Sequence, residues 1–188
     1  MNLISRKHWR IAAAAVTAAM ILAPAAALAA PGQHTAPAAA SAPGCATSDL
    51  MVWLGIPGDG TAGSTYYELE LSNISHHTCT LFGFPGVSAV NRSGAQLGSP
   101  ATRDHGDPEL PVTLAPLATA HVVLQIRDLS FPPATCQPTN AAGLKVYPPN
   151  TTTATVVPFQ FPACAKSGPI FLTVRTTEAG TGIPFYST

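Results

Sequence analysis

Four cysteines, two nearby glutamates and two histidine-bearing clusters are the residues of this chain whose types and spacing could do chemistry. Cys45, Cys79, Cys136 and Cys164 form an even set without the C-x-x-C spacing of a redox pair or a zinc site. Such a set predicts two disulfides made in an oxidising compartment. Glu68 and Glu70 are two residues apart, so in an extended segment they share a face, as paired carboxylates for acid–base work would. That face is expected to turn to solvent. His76-His77 and the run Asp104-His105-Gly106-Asp107 carry metal-ligand chemistry. Adjacent histidines on an extended chain point opposite ways, however, and the second cluster reads as a polar turn. No G-x-S-x-G elbow, H-E-x-x-H, P-loop or G-x-G-x-x-G occurs. Met51 is the single methionine after residue 29, which speaks against a Met-rich copper carrier. The sequence therefore assigns no catalytic residue, no cofactor and no metal.

The elements that must position these residues begin behind an export signature. Arg6, Lys7 and Arg10 precede an Ala-rich apolar run broken at Pro24 and followed by Ala27-Leu28-Ala29. This order predicts a signal peptide over residues 1–29, cut after Ala29, rather than a retained anchor. No integral membrane span would then remain, and the protein would be secreted, in the extracellular space or associated with the cell envelope. Residues 30–44, rich in Ala and Pro, read as a flexible leader, and residues 45–188 as one domain. Only 10% of residues are charged. Losing three of nine basic residues against nine acidic ones leaves a net charge of −3. A nucleic-acid partner, which needs phosphate-neutralising Lys and Arg, is thereby excluded.

Within the domain, apolar and polar residues alternate with period two, the mark of half-buried antiparallel strands. Tyr67, Leu69 and Leu71 oppose Tyr66, Glu68, Glu70 and Ser72; Ala120, Val122, Leu124 and Ile126 oppose His121, Gln125 and Arg127. Leu144 and Val146 alternate with Lys145 and Tyr147, and Ile170, Leu172 and Val174 with Phe171, Thr173 and Arg175. Leu50 to Leu54 and Phe82 to Val90 are apolar on both faces and predict more deeply covered strands. Gly- and Pro-rich turns punctuate the series. The fold class that follows is all-β: an antiparallel, immunoglobulin-like β-sandwich of about seven to nine strands with two disulfides.

Three disulfide connectivities are possible, and hairpin geometry favours one. Strands around residues 143–147 and 153–157 flank Pro148-Pro149-Asn150, and reflection about Asn150 sets Cys136 opposite Cys164. Cys45 and Cys79 likewise flank a strand–loop–strand unit centred on residues 58–63. The favoured pairs are Cys45–Cys79 and Cys136–Cys164.

The run from Leu69-Glu70-Leu71-Ser72-Asn73 to Cys79-Thr80-Leu81-Phe82-Gly83-Phe84-Pro85-Gly86-Val87 resembles an L-x-L-x-N…C-x-L-x-G-[FY]-P-G-V pattern of exported actinobacterial domains of unknown function. The resemblance extends over Cys45 to Thr176 and implies an extracytoplasmic β-sandwich, without catalytic residues to carry over. Leu117 departs from it, standing where the family commonly has Gly after Leu-x-Pro. Asn73, at a strand end, is suited to satisfying loop amides through its side chain.

Trp53, Tyr66, Phe82 and Phe84 are the candidate partner-binding surface: Trp53 and Tyr66 as a stacking platform, Phe82 and Phe84 as a rim at the Pro85-Gly86 turn. The function expected is that of a non-catalytic secreted module that binds a cell-envelope or extracellular protein or glycan. An envelope-polymer hydrolase with a loop-assembled site, and a purely structural secreted protein, are the alternatives.

Overall fold

The computed structural model describes residues 41–57, 60, 63–130 and 132–182. The signal peptide and most of the leader expected from the sequence lie outside the described residues. No described helix is long and apolar enough to cross a membrane.

A single 3-10 turn at Thr47–Asp49 leads into β1 (Leu50–Pro57), which folds back as β2 (Ser64–Asn73). Then follow β3 (Cys79–Leu81), β4 (Gly86–Val90), β5 (Gln96–Leu97), β6 (Thr102–Arg103), β7 (Val112–Leu114) and β8 (Thr119–Arg127). The chain ends its described part with β9 (Pro138–Tyr147), β10 (Thr155–Cys164), β11 (Leu172–Val174) and β12 (Glu178–Ala179). One sheet runs β1-β2-β8-β11-β6, with β12 also on β8; a second runs β10-β9-β4-β5; β3 and β7 form a small pair. Pairing is antiparallel apart from β11 with β6. Twelve strands exceed the expected seven to nine because six of them have only two or three residues, too short to show a period.

The two larger sheets share one core. Leu69 and Leu71 of β2 and Val122 and Leu124 of β8 meet Val87 and Ala89 of β4 and Leu144 and Val146 of β9, all buried. These are the inward residues of the period-two pattern, and their burial makes the architecture a sandwich. Both disulfides form in the expected pairs, Cys45–Cys79 and Cys136–Cys164. Neither crosses between the sheets as an immunoglobulin disulfide does: one ties the approach to β1 to β3, the other closes the open end of the β9–β10 hairpin. That hairpin is longer than expected and shifts register between Pro158 and Phe161. Pro158 and Pro162 lie in β10, an outermost strand, where a missing N–H disrupts no ladder on its free side.

Three expectations change. Leu50 to Leu54 belong to β1, an outermost strand of its sheet, with Met51 51% and Trp53 37% exposed, rather than a covered strand. Ile170 is exposed and Phe171 buried, so the alternation of Leu172 and Val174 stops before β11 begins. Glu68 and Glu70 are buried, not solvated, at 7% and 1% exposure.

Leu117 explains its departure from the family pattern. It occupies the third position of a turn closed by Ala118 N–H to Ala115 O at 3.0 Å, with φ at 68°. That left-handed conformation is what glycine adopts without steric cost.

Candidate functional site

The sequence places Trp53, Tyr66, Phe82 and Phe84 together as one candidate surface; the structure separates them. Phe84 is buried, packed edge-on to His105 with the Arg103 guanidinium 5.7 Å from its ring centre. Phe82 is exposed elsewhere, its carbonyl accepting from Asn150 Nδ2 at 3.2 Å. Trp53 and Tyr66 do share the outer face of the first sheet, with Glu68 and Glu70 between them along β2.

The histidine clusters spread into separate contacts. His77 Nε2 lies 3.5 Å from Asp49, and His105 Nδ1 3.4 Å from Glu109. Asp104 and Asp107 flank Arg175 at 3.6 and 3.9 Å. Among the described residues no three His, Cys, Asp or Glu side chains converge as a metal site.

What stands at the centre of the outer face is the Glu68–Glu70 pair, roofed by the C-terminal segment. After β12 pairs with β8, the chain leaves the plane of the sheet. His121 Nδ1 donates to Gly180 O at 3.0 Å, and Gly182 N–H donates to Glu70 Oε1 at 3.0 Å. The segment thus crosses from β8 to β2, and Gly182 fits because it lacks a side chain: a Cβ there would lie 2.6 Å from Glu68 Oε2. Among the described residues the cover is incomplete chemically, since Oε2 of both glutamates is buried without a hydrogen-bond partner there. Burial pushes the Glu70 carboxyl up to about 7, against the opposing pull of His121 and the Gly182 N–H, with Glu68 raising it further. Burial also raises Glu68, opposed by His121 and Arg175 and reinforced by Glu178.

Beside this face lies an apolar cleft between β1 and β10. Val52, Trp53, Leu54, Gly55 and Tyr67 line one side and Val157, Pro158 and Phe159 the other, around about 730 Å³. Tyr67 meets Phe159 edge-on at 5.0 Å, and Phe159 stacks on Phe161 at 5.3 Å. Trp53 is steadied by its Nε1–H donating to Ser72 Oγ at 3.2 Å. Among the described residues no charged side chain lines the cleft.

The main chain of β1 completes the picture. Ile74 N–H donates to Asp49 O at 2.8 Å. Hydrogen-bonded pairs recur at every second residue of an antiparallel ladder, so Met51 and Trp53 direct their main-chain groups to β2. Val52 and Leu54 direct theirs to the open side, where no other described strand pairs. Edge status depends on distant pairing and leaves no mark on residues 50–54. The shared face of the two glutamates was the only available signal for the carboxylate pair.

The family is decided by the span from the first disulfide to the last strand. The chain belongs to the family described as Domain of unknown function (DUF4232), whose model matches residues 45–178. In this chain the DUF4232 span holds both disulfides and every described strand up to Glu178. No curated protein and no solved structure matches the chain.

Proposed function

We propose that this DUF4232 domain is a non-catalytic, extracytoplasmic binding module that captures an extended polypeptide segment of an envelope or extracellular protein along β1. The export signature, the two disulfides and the resemblance to exported actinobacterial domains support the location. The observation that carries the activity is the pairing of an open strand edge with an apolar aromatic cleft. The outward main-chain groups of Val52 and Leu54 match the backbone of an added strand, and the cleft takes its alternate side chains. A glycan would need several convergent polar side chains, whereas the described lining offers the Tyr67 hydroxyl and the Trp53 Nε1–H, the latter already bonded to Ser72. Two edge strands flank it, but β10 carries Pro158 and Pro162 and β1 has no proline before Pro57. Proline on an edge discourages strand addition, so β1 is the receptive side.

A display selection of random peptides against the protein tests the reading. Enriched sequences are expected to alternate apolar residues and to lose at least tenfold in affinity for the Val52→Pro variant. That change removes an outward N–H at a position where an edge strand tolerates proline. A selection that enriches nothing, or ligands indifferent to Val52→Pro in a variant with an unchanged melting temperature, would overturn it.

A further inference from the structure

We propose that Glu68 and Glu70 form a cation-binding subsite of the β1 docking edge, reached across Gly55 by a Lys or Arg side chain of the captured segment once Gly180–Gly182 lifts. This inference rests on the strand-addition reading and adds the chemistry of its ligand.

Three observations lead to it. First, the tail is a poor match for what it covers. Its described part brings one N–H to Glu70 Oε1, while Oε2 of each carboxylate stays buried with no hydrogen-bond partner among the described residues. Buried carboxylates are costly unless hydrogen-bonded or paired with a cation. Arg175, whose charge acts on Glu68, is drawn toward Asp104 and Asp107. A guanidinium or ammonium presents several donors and a full charge, which a lone amide does not.

Second, Gly55 leaves a passage from the open edge to the pair. A Cβ there would face Glu68, 3.5 Å from its Cβ, and stand 4.0 Å from Glu70 Oε1. The residue of β1 between the edge and Glu68 therefore has no side chain, while Trp53 stands opposite Glu70. Strands lie about 4.8 Å apart, so an added strand beside β1 is roughly 10 Å from β2. An extended Arg or Lys reaching one way and a glutamate reaching the other span that gap. Third, Trp53, 37% exposed on the same outer face, offers an aromatic wall beside the path.

Ionisation couples to opening of the tail. The titratable groups facing Glu70 are Glu68 on its own strand and His121 on β8; Glu178 of β12 and Arg175 after β11 act on Glu68. Glu70 favours its neutral form under the tail, so raising the pH through about 7 charges it and loosens the cover. Cation binding is thus strongest above that pH.

An array of heptapeptides with alternating Thr and Val and every residue type at the centre tests the subsite, read with the intact protein at pH 6 and pH 8. Arg and Lys are expected to bind at least tenfold better than Gln at the centre, more so at pH 8, while the NMR signal of the Gly182 amide shifts. Two variants, Glu70→Gln and Gly55→Ala, are each expected to bring that preference within about twofold and to leave apolar peptides bound. Binding that is sensitive to Val52→Pro but indifferent to a central cation would overturn this inference and leave strand addition standing. A cation preference unchanged in both variants would assign it to general charge and overturn it as well. No peptide bound at any centre would overturn strand addition and the subsite together.

Discussion

Asn73 and Glu70 lie three positions apart on β2 and are both buried, yet their polar atoms are treated in opposite ways. Asn73 faces the interior at 0% exposure and is fully engaged. Its Nδ2 donates to His77 O at 2.9 Å and Leu114 O at 3.0 Å, and its Oδ1 accepts from Ser75 N–H and Ser75 Oγ–H at 2.9 and 2.7 Å. Its backbone adds Ala118 and Leu117 as partners. Glu70 lies on the opposite face with one accepted hydrogen bond and one orphaned oxygen. A satisfied buried polar group is a structural joint that ties β2, β7 and the Asn73–His77 turn into one unit. An under-satisfied one costs stability in the resting protein and is retained where a ligand or a moving segment completes it.

The largest expected effect breaks the joint. Asn73→Ala removes the side-chain bonds to the carbonyls of His77 and Leu114 and to both Ser75 donors, leaving His77 O its 3.1 Å bond from Ser75 Oγ. It should lower stability by about 3–4 kcal/mol in urea unfolding. A loss below about 1 kcal/mol would show that Asn73 is no joint.

Glu70→Gln should act in the opposite direction. A folded-state carboxyl raised above its ordinary 4.5 contributes stability that is present at low pH and is lost as pH rises through about 7. The wild type should therefore weaken between about pH 4.5 and 7, by up to about 1.4 kcal/mol per pH unit. The glutamine variant, which still accepts from Gly182, should lack this component and be the more stable protein at pH 8. Thermal unfolding across pH measures the difference. Equal slopes in the two proteins would remove Glu70 from the account.

These two residues also show how much of the molecule was legible beforehand. Period-two alternation identified the inward faces of β2, β8 and β9, because each strand records its own buried side in its own residues. The disulfides followed from hairpin reflection, although the register of β9 and β10 differs by a residue and shifts again at Pro158. The Asn73 cap was visible because its side-chain contacts with Ser75 and His77 are local. The cover over Glu68 and Glu70 was not, because alternation tells which face a residue is on and nothing of what crosses that face. Here the covering residue, Gly182, comes from 112 positions along the chain. The burial of Phe171 and the open edge of β1 were hidden for the same reason, each depending on distant pairing.

The smallest effect sharpens the joint rather than breaking it. Leu117 donates its N–H to Asn73 O at 2.8 Å while holding a left-handed backbone and exposing 84% of its surface. Leu117→Gly relieves that conformation without touching the bond. It should raise stability by roughly 0.5–1 kcal/mol, the steric gain being partly offset by glycine's extra freedom when unfolded. A destabilised variant would mean that the exposed leucine makes a contact worth more than the relief.

Amide hydrogen exchange of β1, with and without a selected peptide, tests strand addition most directly. The amides of Val52 and Leu54 should exchange freely in the unliganded protein and gain protection of at least tenfold in the complex, while Met51 and Trp53, already bonded to β2, change little. A peptide that binds tightly and leaves Val52 and Leu54 unprotected would contradict the account.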